Sequence, residues 1–350
     1  MKAVVTGGGG FLGRYIVEQL LARGDEVTVF ARSAYPELET VGVRLVRGDL
    51  ADFDAVRRAI GPGCDVVFHV AARAGLWGPW EAFYRTNVIG TQNVIAACRA
   101  ARVRRLVYTS SPSVVFDNRP HEGCDESLPY PARYESYYPQ TKALAERMVL
   151  AQSRPDRFKK TCQVSAQRDL FTVVLRPHLI WGPRDTHILP GLIERARSGQ
   201  LIQVGAGDNL VDLTYVEDAA QAHLLAADAL QPDSPAVGSA YFISQGEPVN
   251  LWTWVDGLLA RLDIPPVRRR VPLWAARALG GALELAYRAL PLSGEPRLTR
   301  FLASELAMSH YYDISRARRD LGYEPRYSMD EALERTVAYL RGREHETSNP

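Results

Sequence analysis

Three residues of this 350-residue chain have the types and the spacing for proton transfer at a carbonyl group. Tyr138 and Lys142 are four residues apart, so a helix would place them on one face. A ketone that gains a hydride develops negative charge on its oxygen and needs a proton donor beside it. We predict Tyr138 as this acid or base, with Lys142 lowering its pKa and Ser111 orienting the carbonyl oxygen. The alternative is an exposed helical Tyr and Lys beside a capping Ser.

A glycine-rich loop follows the first predicted strand and opens the first predicted helix. Glycines in a G-x-x-G-x-x-G spacing allow a tight turn, a close approach of backbone to a pyrophosphate, and close packing of helix on strand. The helix N-terminus offers free amide hydrogens to phosphate groups. A flexible turn is the alternative, but the position between strand and helix favours a dinucleotide. The predicted cofactor-binding residues of the loop are Thr6, Gly7, Gly10, Phe11, Leu12 and Gly13.

The end of the second predicted strand bears on the choice between NAD and NADP. An NAD site usually has an acidic residue there, which binds the adenosine ribose. This chain has Ala31 and Arg32 instead, and a guanidinium is suited to a 2′-phosphate. The sequence therefore favours NADP, with a merely solvated Arg32 as the alternative. After the third strand, Asp49 and Leu50 are candidate cofactor contacts, although Asp49 could equally cap the next helix.

The elements that would position these residues alternate between short apolar runs and amphipathic runs. This is the pattern of an α/β fold with a doubly wound parallel sheet, the Rossmann arrangement. Strands are predicted at residues 3–6, 26–30, 43–47, 66–69, 105–108 and 172–176. Helices are predicted at residues 11–22, with Gly24 as the C-cap, and at 53–60, 84–99 and 138–152.

Beyond residue 181 the regularity loosens. Shorter helices are predicted at 189–198, 216–227 and 251–262, and a strand at 240–244 is expected to rejoin the sheet. Residues 153–169, polar and without periodicity, are predicted to form a surface insertion. We therefore predict a dinucleotide-binding domain at 1–185, rejoined by about 209–248, and a smaller, interleaved C-terminal substrate-binding region at 186–208 and 249–350.

Composition excludes several other classes of protein. Lys and Arg (42) nearly balance Asp and Glu (40) and are interspersed, so no basic stripe for nucleic acid is present. The cysteines fit neither a disulfide framework nor a zinc spacing, and no metal site is predicted. Because the first residues lack the apolar run of a signal peptide, we expect a cytoplasmic protein. The four cysteines are Cys64, Cys98, Cys124 and Cys162.

Residues 271–292 form the most apolar long stretch, and charged residues within it argue against a membrane-spanning helix. An amphipathic stretch of this kind lines an apolar pocket, contacts a membrane surface, or packs on the protein's own core. We expect an apolar small-molecule substrate, because a sugar nucleotide would call for more polar contacts. Arg184 and His187 are candidates for binding a substrate carboxylate.

Taken together, the motifs resemble those of the extended short-chain dehydrogenase/reductase superfamily over most of the chain. Residues 6–13, Ser111, and Tyr138 with Lys142 match its TGxxGxxG, catalytic Ser and YxxxK motifs. Segments similar to its 3β-hydroxysteroid dehydrogenase branch are 108–113, 213–219, 241–244 and 312–315. That branch includes sterol 4-carboxylate 3-dehydrogenases and bacterial 2-alkyl-3-oxoalkanoate reductases of olefin biosynthesis. Residues 74–79 and 111–116 look most like the bacterial reductases.

The resemblance implies further residues around the cofactor. It implies cofactor contacts at Ala71, Ala72, Pro177 and Ile180. For His69 and Asn87, structural packing and loop hydrogen bonds are favoured over direct catalysis. The resemblance also implies a homodimer that pairs the helices at 84–99 and 138–152.

The function implied by the resemblance is that of an NAD(P)-dependent oxidoreductase. It would interconvert a hydroxyl and a ketone on a long-chain β-hydroxy or β-keto acid, or on a 3β-hydroxysteroid-like substrate. The direction of transfer, and whether decarboxylation follows oxidation, stay open. One alternative is a sugar-nucleotide epimerase or dehydratase, although Pro112 and Ser113 replace the acidic pair typical of dehydratases. Another is a non-catalytic dinucleotide-sensing regulator, although such proteins usually lose the Tyr or the Lys.

Overall fold

The computed structural model describes residues 1–153, 170–290 and 292–348. Most of the predicted surface insertion at 153–169, and Cys162 within it, lie outside the described residues. The strands in chain order are β1 (Lys2–Thr6), β2 (Glu26–Ala31), β3 (Arg44–Arg47), β4 (Val66–His69), β5 (Arg105–Thr109), β6 (His121–Cys124), β7 (Phe171–Pro177), β8 (Ile180–Trp181), β9 (Gln203–Val204), β10 (Leu210–Val211), β11 (Thr214–Tyr215), β12 (Ser239–Ile243), β13 (Val249–Asn250), β14 (Arg270–Val271) and β15 (His310–Tyr312).

Thirteen α-helices occur within these described residues. They are α1 (Phe11–Ala22), α2 (Pro36–Glu39), α3 (Phe53–Ala59), α4 (Trp80–Phe83), α5 (Gly90–Ala101), α6 (Tyr137–Ser153), α7 (Leu189–Arg197), α8 (Val216–Ala229), α9 (Leu251–Arg261), α10 (Leu273–Ala289), α11 (Arg300–Ala307), α12 (Ser315–Leu321) and α13 (Met329–Ser348). A π-helical turn at Tyr84–Ile89 joins α4 to α5 in one continuous helical run. No helix of the described part is long and apolar enough to cross a lipid bilayer.

The central sheet has seven parallel strands in the order β12-β7-β5-β4-β1-β2-β3. Its inner strands are mainly apolar, because helices cover both faces. On one face α1 and α8 pack through residues such as Ile16 and Ala219, and on the other α3, α5 and α6 pack through Val56, Val94 and Val149. The predicted doubly wound α/β fold is confirmed.

Local sequence signals account for the ends of several elements. Gly24 has a φ of +84°, and its N–H bonds the carbonyl of Leu21 while the next N–H bonds Leu20, as in a Schellman motif. The prediction of Gly24 at the end of α1 is therefore confirmed. The predicted strand at 240–244 is β12, which pairs in parallel with β7 and so rejoins the sheet.

A second layer is built mainly from the C-terminal part of the chain. Its four-stranded sheet has the order β13-β10-β15-β6, and β6 comes from the first half of the chain. A separate core surrounds Trp181, Trp254 and Leu333 between α9 and α13. The exact division into cofactor and substrate parts stays a prediction.

Candidate active site

The loops after β1 and β4 meet at the centre of the sheet, where the chain reverses its winding direction. In open α/β sheets this is the crevice in which ligands bind. Gly7 has a φ of +72°, and a Cβ added there would lie 2.9 Å from Cα of Ala71. The N–H of Ala71 donates to the backbone carbonyl of Thr6 at 3.1 Å. The glycine loop and Ala71 therefore form one wall, while neighbouring Ala72 is exposed.

The N-terminus of α1 fits a dinucleotide pyrophosphate. A Cβ on Gly13 would overlap the carbonyl oxygen of Gly7, so only glycine permits this packing. No side chain caps the helix, and its first-turn amide groups are left for an anion. Leu12 is buried in the core, so its backbone N–H is the part that is available, whereas Phe11 is half-buried and packs on Tyr15.

At the adenosine end of the crevice, Arg32 is exposed and Asp49 is partly exposed. Arg32 has no hydrogen bond or ion pair within the described part of the chain. Asp49 accepts a hydrogen bond from the N–H of Ala51 at 2.9 Å and lies 3.3 Å from the guanidinium of Arg85. The interpretation of Asp49 as a helix cap is wrong, because Asp52 caps α3 by accepting from the N–H of Ala55. A carboxylate is only a good N-cap where its oxygen reaches the second or third amide of the helix.

Two other residues near this end have different roles. The side chain of Leu50 is buried and packs on Gly90, so it contributes to the core. Tyr35, which the sequence analysis missed, packs its ring on Gly9, where a Cβ would overlap the ring. An aromatic residue three positions after Arg32 is the signal that could have indicated it.

The predicted catalytic residues come from two neighbouring elements. Tyr138 and Lys142 lie in the first turns of α6. Ser111 lies two residues after the end of β5. The Oγ of Ser111 accepts a hydrogen bond from the N–H of Ser113 at 3.2 Å, which fixes the turn after the strand. Burial raises the pKa of Tyr138, and a hydrogen bond with the Ser111 side chain acts in the opposite direction. Ser111 and Tyr138 are therefore brought together, as the sequence predicts.

Lys142 is buried behind this pair. Its Nζ donates to the backbone carbonyl of Thr109 at 2.6 Å and lies 4.3 Å from the ring centroid of Tyr108. Burial lowers its pKa to about 7, and the carboxylate of Glu146 opposes that change. The expectation that Lys142 lowers the pKa of Tyr138 is wrong for this structure, because the desolvation of the phenol dominates and its pKa is raised.

A buried carboxylate one turn further along α6 links the elements of the site, and the sequence analysis missed it. Glu146 is fully buried and pairs with Arg176, the residue before Pro177 at the end of β7. It also accepts from the hydroxyl of Ser110, and from that of Tyr130 at 2.7 Å. The four-residue spacing from Lys142 could have predicted a shared helix face. This network joins α6 to the ends of β5 and β7.

The residues predicted at the nicotinamide side lie at the end of β7 and in β8. Pro177 is the last residue of β7 and is buried, and Ile180 begins β8 and pairs with Thr214. Since β7 is next to β5 in the parallel sheet, Pro177 and Ser111 both lie at the carboxyl ends of neighbouring strands. The structure thus groups the glycine loop, Ser111, Tyr138 and Pro177 along one crevice.

His69 and Asn87 make structural hydrogen bonds. The two ring nitrogens of His69 bond the hydroxyls of Thr6 and Thr91 at 2.8 and 2.9 Å, and burial lowers its pKa to about 3. Asn87 accepts from the N–H of Arg73 at 2.7 Å and donates to the hydroxyl of Thr141 on α6. Packing and loop hydrogen bonds, favoured from the sequence, are what the structure shows.

Arg184 is engaged by the protein itself. Its guanidinium makes two hydrogen bonds to the Glu18 carboxylate, at 2.6 and 2.7 Å, and lies 3.9 Å from the ring centroid of Tyr15. A guanidinium that already holds a carboxylate in this bidentate way has little capacity for a second. The suggestion that Arg184 binds a substrate carboxylate is therefore not supported, and His187 lies exposed in the following loop.

The parallel sheet, the glycine loop and the Ser–Tyr–Lys arrangement define a dinucleotide-binding protein of the short-chain dehydrogenase/reductase class. The chain belongs to the 3-beta hydroxysteroid dehydrogenase/isomerase family, whose model matches residues 4–273. It is 47% identical over 339 residues to 2-alkyl-3-oxoalkanoate reductase of Shewanella oneidensis, an alignment that covers 97% of this chain and 86% of that protein.

Two further proteins extend the comparison. Human sterol-4-alpha-carboxylate 3-dehydrogenase, decarboxylating, is 38% identical over 343 residues, covering 97% of this chain and 88% of the human protein. Among solved structures, MoeE5 in complex with UDP-glucose and NAD superposes with a TM-score of 0.72 at 26% identity, covering 98% and 99% of the two chains. The protein is therefore an NAD(P)-dependent oxidoreductase acting on hydroxyl or keto groups, and an enzyme rather than a dinucleotide-sensing regulator.

Proposed function

We propose that the protein reduces the ketone of a 2-alkyl-3-oxo fatty acid to the hydroxyl, with NADPH as the reductant. The observation that carries the proposal is the pairing of Tyr138 with Ser111 in the crevice, and the direction rests on the similarity to a protein named as a reductase, because a phenol is protonated at neutral pH with or without a raised pKa. A protonated phenol is a proton donor, which is what reduction of a ketone needs. The identity to the Shewanella oneidensis reductase supports the substrate class.

In this proposal the proton that the ketone oxygen gains comes from a side chain of the protein. The hydroxyls of Ser111 and Tyr138 bind the ketone oxygen, and the Tyr138 Oη–H donates its proton as charge develops there. When bound, the nicotinamide supplies the hydride. Lys142, held by the Thr109 carbonyl, is partly protonated near pH 7 and supplies positive charge behind the pair. The network of Glu146 and Arg176 keeps α6 in register with β5 and β7.

Aromatic side chains near Tyr138 support an apolar substrate. The ring of Trp80 contacts the rings of Tyr84 and Tyr137, at centroid distances of 5.4 and 5.5 Å, and Tyr137 directly precedes Tyr138. Across the loop at 74–79, Trp77 packs edge-on against Tyr287 of α10 at 6.2 Å. Such surfaces bind alkyl chains by burial of apolar area. A sugar nucleotide would need polar partners in their place.

The preference for NADP rests on Arg32. Its side chain is exposed at the end of β2 and is not engaged by the described residues, and no carboxylate follows this strand to bind the ribose hydroxyls. The homodimer through the helical segments at 84–99 and 138–152, and the cytoplasmic location, also stay predictions.

A crossed kinetic experiment tests the proposal. Purified protein is assayed at 340 nm with NADPH or NADH and a synthetic 2-alkyl-3-oxo acid, and with NADP or NAD and a 3β-hydroxysteroid. The expected result is the highest kcat/KM for NADPH with the oxo acid, by at least tenfold over the steroid pair. A higher kcat/KM for the steroid, or for NADH, would overturn the substrate or the cofactor assignment respectively.

A further inference from the structure

The helix α10 presents an exposed face without any charged or polar side chain. Trp274 is 75% exposed and Leu285 is 68% exposed, and the spacing of three and four residues places them in one row with Ala278, Ala282 and Ala289, which are also exposed. Leu279 and Leu290 flank this row and are each more than half exposed. A helix on the surface of a soluble domain ordinarily carries polar residues on its outer face.

Of the charged residues of α10, Arg277 and Glu284 lie away from this face, whereas Arg288 is exposed at its edge. Arg277 pairs with Glu135 at 2.7 Å, and Glu284 is buried and pairs with Arg300. Arg288 lies 5.5 Å from the ring centroid of Trp77. The opposite row of the helix, Ala276, Gly280 and Glu284, is buried. The apolar face is therefore a feature of the folded protein and not a consequence of a loosely packed helix.

Three consecutive arginines lie next to this face. Arg268, Arg269 and Arg270 are exposed, end two residues before α10 begins, and have no side-chain hydrogen bond or ion pair within the described residues. Unpaired guanidinium groups beside an apolar helix face, with an exposed Trp in the first turn, match what the interface of an anionic bilayer offers: phosphate headgroups beside acyl chains.

We propose that the α10 face docks on the surface of an anionic lipid bilayer, with Arg268 to Arg270 bound to headgroups and Trp274, Leu279 and Leu285 in the interface. A second copy of the chain is the competing occupant. A two-fold contact would bring the same surface against itself, with three arginines at its edge and no exposed carboxylate on the face. The phosphate headgroups of an anionic bilayer supply the negative charge that the three arginines lack in such a dimer. This proposal does not depend on the substrate proposed above.

Co-sedimentation with vesicles tests it, because the readout is binding and not activity. The full-length protein is mixed with phosphatidylcholine vesicles, with or without 30% phosphatidylglycerol. Wild type should bind the anionic vesicles at least tenfold more tightly than the neutral ones. The variant Trp274→Ser/Leu279→Ser/Leu285→Ser should lose at least tenfold in affinity for anionic vesicles, and Arg268→Gln/Arg269→Gln/Arg270→Gln should lose severalfold together with the salt dependence.

Matched controls use equally exposed positions elsewhere on the chain. Val41→Ser and the triple variant Arg44→Gln/Arg47→Gln/Arg58→Gln should bind vesicles like wild type, and thermal unfolding verifies that each variant is folded. If wild type does not bind anionic vesicles, or if the α10 variants bind as wild type does, the proposal is overturned. It is also overturned if the α10 variants alter only the oligomeric state in size-exclusion chromatography, since the face would then be a contact between copies.

Discussion

At the catalytic end of the crevice, Lys142, Glu146 and Arg176 are buried, and each holds a defined partner. At the adenosine end, Arg32 is exposed and Asp49 is partly exposed, and Asp49 pairs with an exposed Arg85. Buried charges must be paired to exist at all, whereas exposed ones contribute little to stability. The catalytic end is thus fixed by the fold before any cofactor binds, while the adenosine end is free to vary in specificity.

The largest effect is expected at the catalytic end from Tyr138→Phe. Loss of the phenol proton should lower kcat by about 10²- to 10⁴-fold, the usual contribution of a general acid. Cofactor affinity, measured by nucleotide fluorescence, should change by less than about threefold, because the ring is retained. Tyr311→Phe, which removes a phenol on β15 outside the site, is the control. Unchanged turnover of Tyr138→Phe would remove Tyr138 from the mechanism.

The next effect is on stability, from Glu146→Gln. Removing one partner of a buried ion pair leaves the Arg176 charge uncompensated, and we expect a loss of about 3 kcal/mol in the free energy of unfolding. Glu18→Gln makes the same chemical change in the partly exposed pair with Arg184 and should cost about 1 kcal/mol or less. Urea denaturation of both variants measures the difference. Equal losses would mean that the buried pair contributes no more to stability than the partly exposed pair.

A smaller effect concerns pH. The pKa of Lys142 is about 7 in the folded protein and 10.5 in the reference state, so between these values the unfolded chain holds a proton that the folded one lacks. The free energy of unfolding should therefore rise with pH across this window, by up to about 1.4 kcal/mol per pH unit from this group. Lys142→Met should have a correspondingly shallower slope in denaturation series between pH 7.5 and 9.5. Parallel slopes would show that Lys142 is not buried as a perturbed amine.

The smallest effect is expected at the adenosine end, from Arg32→Ala. With NADPH, kcat/KM should fall about tenfold, and with NADH it should change less than about threefold, because only the 2′-phosphate loses a partner. Arg44→Ala, at the start of the neighbouring strand β3 and so at the opposite end of the strands from Arg32, controls for the loss of a surface charge. An equal fall with both cofactors would mean that Arg32 supports the loop and does not select the phosphate.

The same contrast explains what could be predicted from the sequence. The parallel sheet, the glycine loop and the pairing of Tyr138 with Ser111 follow from periodicity and short spacings, because neighbouring residues along a strand or helix fix them. The Glu146–Arg176 pair joins residues 30 positions apart, and only the packing of α6 on β7 brings them together. The pKa of Tyr138 was predicted with the wrong sign because a spacing of four residues reveals a neighbouring charge but not the extent of desolvation.

The π-helical turn between α4 and α5 sets the relative orientation of two groups of contacts. A π turn holds an extra residue compared with an α turn, so it offsets the rotation of α5 against that of α4 by about 100°. Before the offset, Trp80 faces the aromatic surface beside Tyr137, and after it Thr91 reaches His69. Deleting one residue between 84 and 89 would cancel the offset. The contacts of Trp80 and those of Thr91 could then not both form in their present orientations. Chain length at this turn, and not only side-chain identity, is thus a variable that shapes the wall of the site.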